Sequence, residues 1–212
     1  SAGSNCYNCH MPHTSYGLLK AIRGHTIESP DVATTLKTGR PNACNLCHLD
    51  KTLDWTAEHL AKRTGKPKVE VPPIHQNTAA SAVWLLNGDA GQRALAAWHM
   101  GWEPAMIASG SGWQSPLLAD TLTDPYSAVR YIAHKALVKQ PGFVAYKYDF
   151  VADEAKRLAK QKEAMGIWLR EQRIKIPLPA GPVLLNAQGV RDVDRVQTLI
   201  RTRDNRPMRL RE

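Results

Sequence analysis

The chain has 212 residues, 43% hydrophobic and 22% charged, proportions that suit one folded domain or two small ones and exclude a disordered tail or a fibrous repeat. No stretch approaches the roughly 18 apolar residues needed to cross a bilayer. Lys and Arg outnumber Asp and Glu 28 to 19, and the resulting net charge of +9 predicts a surface attractive to anions.

In chain order, the first feature is Cys6-Tyr7-Asn8-Cys9-His10. Ser15–Arg23 reads as a short amphipathic helix closed by Gly24. A loop rich in Ser, Pro, Thr and Gly then runs to Arg40-Pro41. The pentapeptide recurs as Cys44-Asn45-Leu46-Cys47-His48, and a helix is expected from near Asn45 to Gly65. Lys66–Pro73 is a proline-bearing linker. Beyond it, Ala79–Asn87 with Gly91–Met100, and Leu117–Leu122 with Ala128–Val138, read as two helical hairpins. The second turns at Asp124-Pro125. A helix from Asp153 to about Gln172, the segment IPLPAGP (176–182), a short helix near Asp192–Arg201 and a basic tail complete the chain. The expected fold is mainly α. An N-terminal module with few regular elements (1–73) precedes HEAT-like hairpins (74–150), then a C-terminal helix and basic tail (151–212). Two hairpins are fewer than a free-standing solenoid needs, so their other face should bury against the N-terminal module.

C-x-x-C-H is the attachment signature of c-type haem. Thiols at i and i+3 lie one helical turn apart and add to the two vinyl groups on one side of a porphyrin, and the following histidine reaches the iron. Two complete copies use every cysteine in the chain. A Cys₄ zinc site would leave the histidines unexplained, a disulfide within C-x-x-C closes a tiny loop that stabilises little, and a thioredoxin-like reading lacks a βαβ pattern. The expectation is two haem c groups. Cys6, Cys9, Cys44 and Cys47 would bind them, and His10 and His48 would be proximal iron ligands. Such attachment takes place outside the cytoplasm, predicting a periplasmic or extracellular protein. The first five residues have no signal-peptide character.

CHMPHTSYGLLKAIRGH, TGRPNACNLCHLDKTLDWTAEHL, GDAGQRALAAWHMGW and DPYSAVRYIAHKAL together resemble a multihaem c-type cytochrome family in which a paired C-x-x-C-H module carries a helical-repeat domain of HEAT or TPR type. The resemblance covers roughly residues 6–150 and implies electron transfer. It also implies that His25, set among Arg23, Ser29, Pro30 and Asp31, is an axial ligand.

The other histidines divide by geometry. On a continuous helix His59 returns to the side of His48 and is expected at the surface. His13 points to the proximal side of its own haem but could ligate a second haem alongside. His99, in an aromatic context, is either a carbonyl-bonded core histidine or a distal ligand. His134 is expected to face solvent and His75 to lie in a loop. Met100 and Met106 are alternative distal donors, although methionine in a helix usually packs. Eight histidines for two haems favour bis-histidine ligation, low potential and no open iron site. Propionates would lower +9 to about +5, with Lys20, Arg23, Arg40 and Lys51 placed to pair with them. Tyr7, Tyr16 and Trp55 are either porphyrin-edge or ordinary core residues. The basic tail is a solvated surface or a dock for a neighbour's propionates.

The short polar flank before Cys6 leaves the first haem's face to be covered by the helical domain, an upstream segment or another copy. Copies meeting head to tail would build a haem-wire filament. The expected activity is thus single-electron transfer between haems and redox partners, either other copies or other multihaem cytochromes. An alternative is a module of a multihaem oxidoreductase with one five-coordinate haem. A third reading is a protein-binding scaffold with haems as staples. Hydrolase and phosphate-loop motifs are missing, and nucleic-acid binding would rest on net charge alone.

Overall fold

A computed structural model describes residues 5–172, 181–186 and 188–208. The fold is mainly helical, with one two-stranded hairpin among the described residues. The first motif forms the single-turn helix α1 (Cys6–His10). Strands β1 (Ser15–Gly17) and β2 (Lys20–Ile22) follow as an antiparallel pair in which Tyr16 opposes Ala21. The expected helix over 15–23 is therefore a hairpin. Its two-residue turn, Leu18-Leu19, has φ of 51° and 56°. Such turns normally recruit Asn or Gly, so the turn chemistry that would have marked a hairpin is missing from the sequence.

Helix α2 (Val32–Thr38) lies within the expected loop, capped by Asp31, whose carboxylate accepts from Thr34 N, and ended by Gly39 at φ 75°. The helix expected from Asn45 to Gly65 is two helices, α3 (Ala43–Cys47) and α4 (Leu53–Thr64). The chain turns between them because Asn45, fully buried, gives its Nδ2 hydrogens to the carbonyls of Lys51 and Thr52, each at 3.1 Å, and accepts from Thr56 Oγ1 at 2.8 Å. Thr52 then caps α4 through Trp55 N.

After α5 (Pro73–Asn77), the helical domain runs α6 (Ala80–Leu86), α7 (Ala90–Met100), α8 (Glu103–Ser109), α9 (Ser115–Thr121) and α10 (Ser127–Leu137). Both expected hairpins are present: α6 packs on α7 and α9 on α10, while α7 and α10 pair across them. Alanines at 90, 94, 96, 97, 128, 133 and 136 let these axes approach closely. The N-terminal module rests on this layer, with the β1–β2 hairpin against α7 and α3 against α6, α7 and α8. The C-terminal region folds back onto it. Helix α11 (Glu154–Gln172) lies on α9, and α12 (Val193–Arg201), capped by Asp192, lies on α6.

The Asp124-Pro125 turn and Arg130 have a physical role. Asp124, 1% exposed, approaches Arg93 Nε at 2.7 Å and Arg203 at 3.3 Å, and its Oδ1 accepts from Tyr126 N at 2.9 Å to start α10. The Arg93 approach is an ion pair, and the aligned hydrogen bond to Asp124 comes from Nη2 at 3.3 Å. Arg130 closes the same turn, donating to the carbonyls of Asp124, Pro125 and Phe150 at 2.7, 3.0 and 2.7 Å. Removing Arg93 would leave the buried Asp124 carboxylate short of its best partner. Arg93→Ala is expected to lower stability by about 3–5 kcal/mol in chemical denaturation. Arg203→Ala, at the partly exposed edge of the network, should cost clearly less.

Candidate functional site

Neither C-x-x-C-H turn can hold itself in place, and each is anchored differently. No residue of α1 is buried. The anchor is Arg23, just past β2, whose guanidinium donates to the carbonyls of Tyr7 (2.8 Å) and Met11 (3.0 Å) and to Asn8 Oδ1 (2.7 Å), and lies 4.4 Å over the Tyr7 ring. A cation here satisfies carbonyls that a short helix leaves open. His10 is fixed by a reciprocal pair with Glu28: Glu28 N donates to the His10 carbonyl at 3.0 Å, and His10 Nδ1 lies 2.9 Å from the Glu28 carbonyl. A carbonyl only accepts, so Nδ1 is the nitrogen that carries a hydrogen in this bond and Nε2 is left outside it. Arg40 pairs with the Glu28 carboxylate and holds it below the usual carboxylate range.

The second motif is built into the core. Asn42 caps it through Cys44 N at 3.1 Å, and Leu46 is 1% exposed. Cys6 and Cys9 are exposed and Cys44 and Cys47 half-buried, all four as free thiols. Burial, reinforced by the thiols of Cys9 and Cys47, pushes Cys44 up to about 11, and burial with Cys9 also raises Cys47. The two motifs are thus neighbours, with α1 packed on α3.

Two ring clusters flank the motifs. Beside the second, the Trp55 ring lies 5.2 Å from His48 and 4.1 Å from His59, centroid to centroid. His59 Nδ1 is bonded to the Trp55 carbonyl at 2.9 Å, again leaving Nε2 outside the bond. His59 is exposed, as expected, but the break at 48–52 removes the continuous helix on which its separation from the site was argued. The other cluster joins the segment after α1 to the end of α7. His13 stands 4.8 Å from Trp98, 5.5 Å from Trp102 and 6.2 Å from His99. His99, 1% exposed, bonds through Nδ1 to the Leu95 carbonyl at 2.8 Å. Burial lowers His99 to about 3, and burial followed by the charge of Arg23 lowers His13 to about 4. Burial also lowers His48. At neutral pH these rings are uncharged and can donate an electron pair. No family model, curated protein or solved structure matches the chain.

The structure therefore brings His13 and His99 together, and His48 and His59. His25 lies apart from both clusters in an exposed bend after β2. Met100 is fully buried, and the Met106 sulfur accepts from Gln140 Nε2 at 3.4 Å, so both have packing roles. His134 does not face solvent. It is half-buried between Tyr146 and Tyr148, with Nε2 3.3 Å from the Tyr146 carbonyl. His75 lies on α5, half-buried, rather than in a loop. Of the cations expected to await propionates, Arg23 is spent on α1, Arg40 on Glu28 and Lys51 on Asp50. The basic tail is divided: Arg170, Arg201 and Arg206 are exposed, whereas other arginines are tied down. Arg191 pairs with Asp120, Arg203 with Asp124, and Arg195 donates to Thr78 Oγ1 at 2.7 Å; Arg173, Lys175, Arg209 and Arg211 lie outside the described residues. Sequence reasoning set His59 aside as a surface residue and missed Glu28 and Asn45. Only Asn45, sitting inside the repeated pentapeptide, carried a signal that could have been weighed.

The contrast in burial has a direct readout. In the chain before any cofactor is attached, a thiol-alkylating reagent at mildly alkaline pH should label Cys6 and Cys9 at least about tenfold faster than Cys44 and Cys47, measured by peptide mass spectrometry.

Proposed function

We propose that the chain is a dihaem c-type cytochrome of the multihaem, helical-repeat kind, carrying single electrons outside the cytoplasm. The observation that carries this reading is that both C-x-x-C-H sequences fold as single helical turns with free thiols at i and i+3 and a histidine directly after. A metal site made of the side chains alone fits less well. A Cys₄ zinc cluster would give the histidine that follows each pair no part to play. Haem iron asks the protein for only two axial donors. Uncharged imidazoles lie beside both motifs, and His10 already has its tautomer set by Glu28.

When bound, haem supplies a one-electron redox couple, and the chain's residues do the rest. Cys6, Cys9, Cys44 and Cys47 would hold the two groups, with His10 and His48 as proximal donors. His25, His99 and His13 remain the proposed distal donors, and His59, beside His48, joins them. Trp98, Trp102 and Trp55 exclude water from the rings they touch, and ligation by two histidines favours a low potential relative to a Met/His pair. Exposure of Cys6, Tyr7, Cys9 and His10 supports contact with a redox partner at the first motif, either another multihaem cytochrome or a further copy meeting it head to tail. No helix among the described residues is long and apolar enough to cross a membrane.

A pyridine haemochrome assay on protein made with haem-attachment machinery should return two haems per chain. Cys44→Ser with Cys47→Ser should return one, and no bound tetrapyrrole in the unaltered chain would end the proposal. Paramagnetic resonance of the ferric protein should be low-spin. A high-spin signal that shifts with nitrite would favour the oxidoreductase module instead. His25→Ala should convert one low-spin signal to high-spin, and an unchanged spectrum would assign the distal position elsewhere, with His13, His99 and His59 the next to replace.

A further inference from the structure

One cleft is left unexplained by the motifs. It lies between the Leu18-Leu19 turn and the paired helices α7 and α10, with a volume of 320 Å³. Lys20, Lys135 and Lys139 stand around it, Trp98 and Tyr131 supply aromatic walls, and no residue lining it is acidic. Lys139 is held in place by donating to the Gly101 carbonyl at 2.9 Å, with two ammonium hydrogens left over. Among the described residues neither Lys20 nor Lys135 has an ion-pair partner. Lys135 lies in the last turn of α10 and Lys139 in the turn that follows it, so two like charges meet at the same end of the cleft.

The shape is as specific as the charge. The floor is formed where α7 ends on α10. A Cβ at Gly101 would lie 2.7 Å from Ala136 Cα, so only glycine permits this approach. One wall is the turn whose two leucines both hold the left-handed conformation, a strained geometry of the kind concentrated at ligand sites. The opposite wall, Trp98, is also the ring that packs on His13 at 4.8 Å and on Trp102 at 6.1 Å, so the cleft shares an aromatic surface with the cluster beside the first motif.

We propose that this cleft binds a planar aromatic anion. Its flat faces would lie against Trp98 and Tyr131 and its acid groups would meet the lysine ammoniums. The volume falls at the lower end of small-molecule sites and is suited to a compound of two or three fused rings. Any role of that ligand as an electron-exchange partner rests on the proposed function, whereas its binding does not.

Equilibrium dialysis of the purified full chain against anthraquinone-2,6-disulfonate at low salt tests the site. One saturable equivalent is expected, weakened at least about tenfold in Lys20→Gln/Lys135→Gln and in Trp98→Leu, and weakened by added sodium chloride. Lys37→Gln, on α2 away from the cleft, should bind as the unaltered chain does. Circular dichroism of each variant checks that the fold is intact. Lack of saturable binding, or equal affinity in the double lysine variant, overturns the proposal. So does a lysine variant that breaks an oligomer while the unaltered chain binds no dye, since the cleft is then an interface between copies. Dialysis reads no electron transfer, so a chain lacking haem that still binds would sink only the proposed function, and a haem-loaded chain that does not bind would sink only the cleft.

Discussion

A five-residue helix gains too few internal hydrogen bonds to stand alone in water. The placement of each C-x-x-C-H turn in this protein therefore depends on one polar side chain. Arg23 grips α1 through two carbonyls, an amide oxygen and the Tyr7 ring. For α3 the grip comes from within the motif, as Asn45 reaches into the core and fixes the following loop. The consequence is an asymmetric pair. One motif is presented on the surface by a cationic clamp, and the other is embedded in the apolar layer through Leu46 and Asn45.

That layer is what makes the embedding possible. The α6–α7 and α9–α10 hairpins offer small residues on facing helices, and the N-terminal module supplies the cover that two hairpins lack. Packing and chemistry meet at the end of α7. Trp98 and His99 occupy successive positions there, one facing the cleft and the His13 ring, the other buried with its Nδ1 hydrogen engaged by Leu95. His99 is both a satisfied core residue and a neutral imidazole within a ring cluster, so the two readings weighed for it from sequence do not exclude each other.

Much of this was legible in the residues. Apolar spacing marked α6, α7, α9, α10 and α11, and Asp192 marked the start of α12, because these elements owe their form to local pattern and capping. The two pentapeptides were unmistakable. What escaped was decided by contacts distant in sequence. Leu18-Leu19 makes a hairpin turn against its own preference because the strands pack on α7. A helical spacing runs through 45–65, yet Asn45 breaks it by capturing carbonyls six and seven residues ahead. Glu28 controls His10 through its backbone carbonyl, an interaction that no side-chain pattern can announce. The arginines of the C-terminal region read as a solvated tail because their acidic partners, Asp120 and Asp124, lie some 70 to 80 positions earlier.

The reach of Arg203 back to Asp124 also sets a sequence of events during translation. When α9 and α10 leave the ribosome, the carboxylate at their turn has Arg93 but not its second counter-ion, which is synthesised 79 residues later. The helical layer can therefore complete its charge balance only after that stretch has been made. Both cysteine pairs emerge long before that, while the surface that will support them is still unfinished.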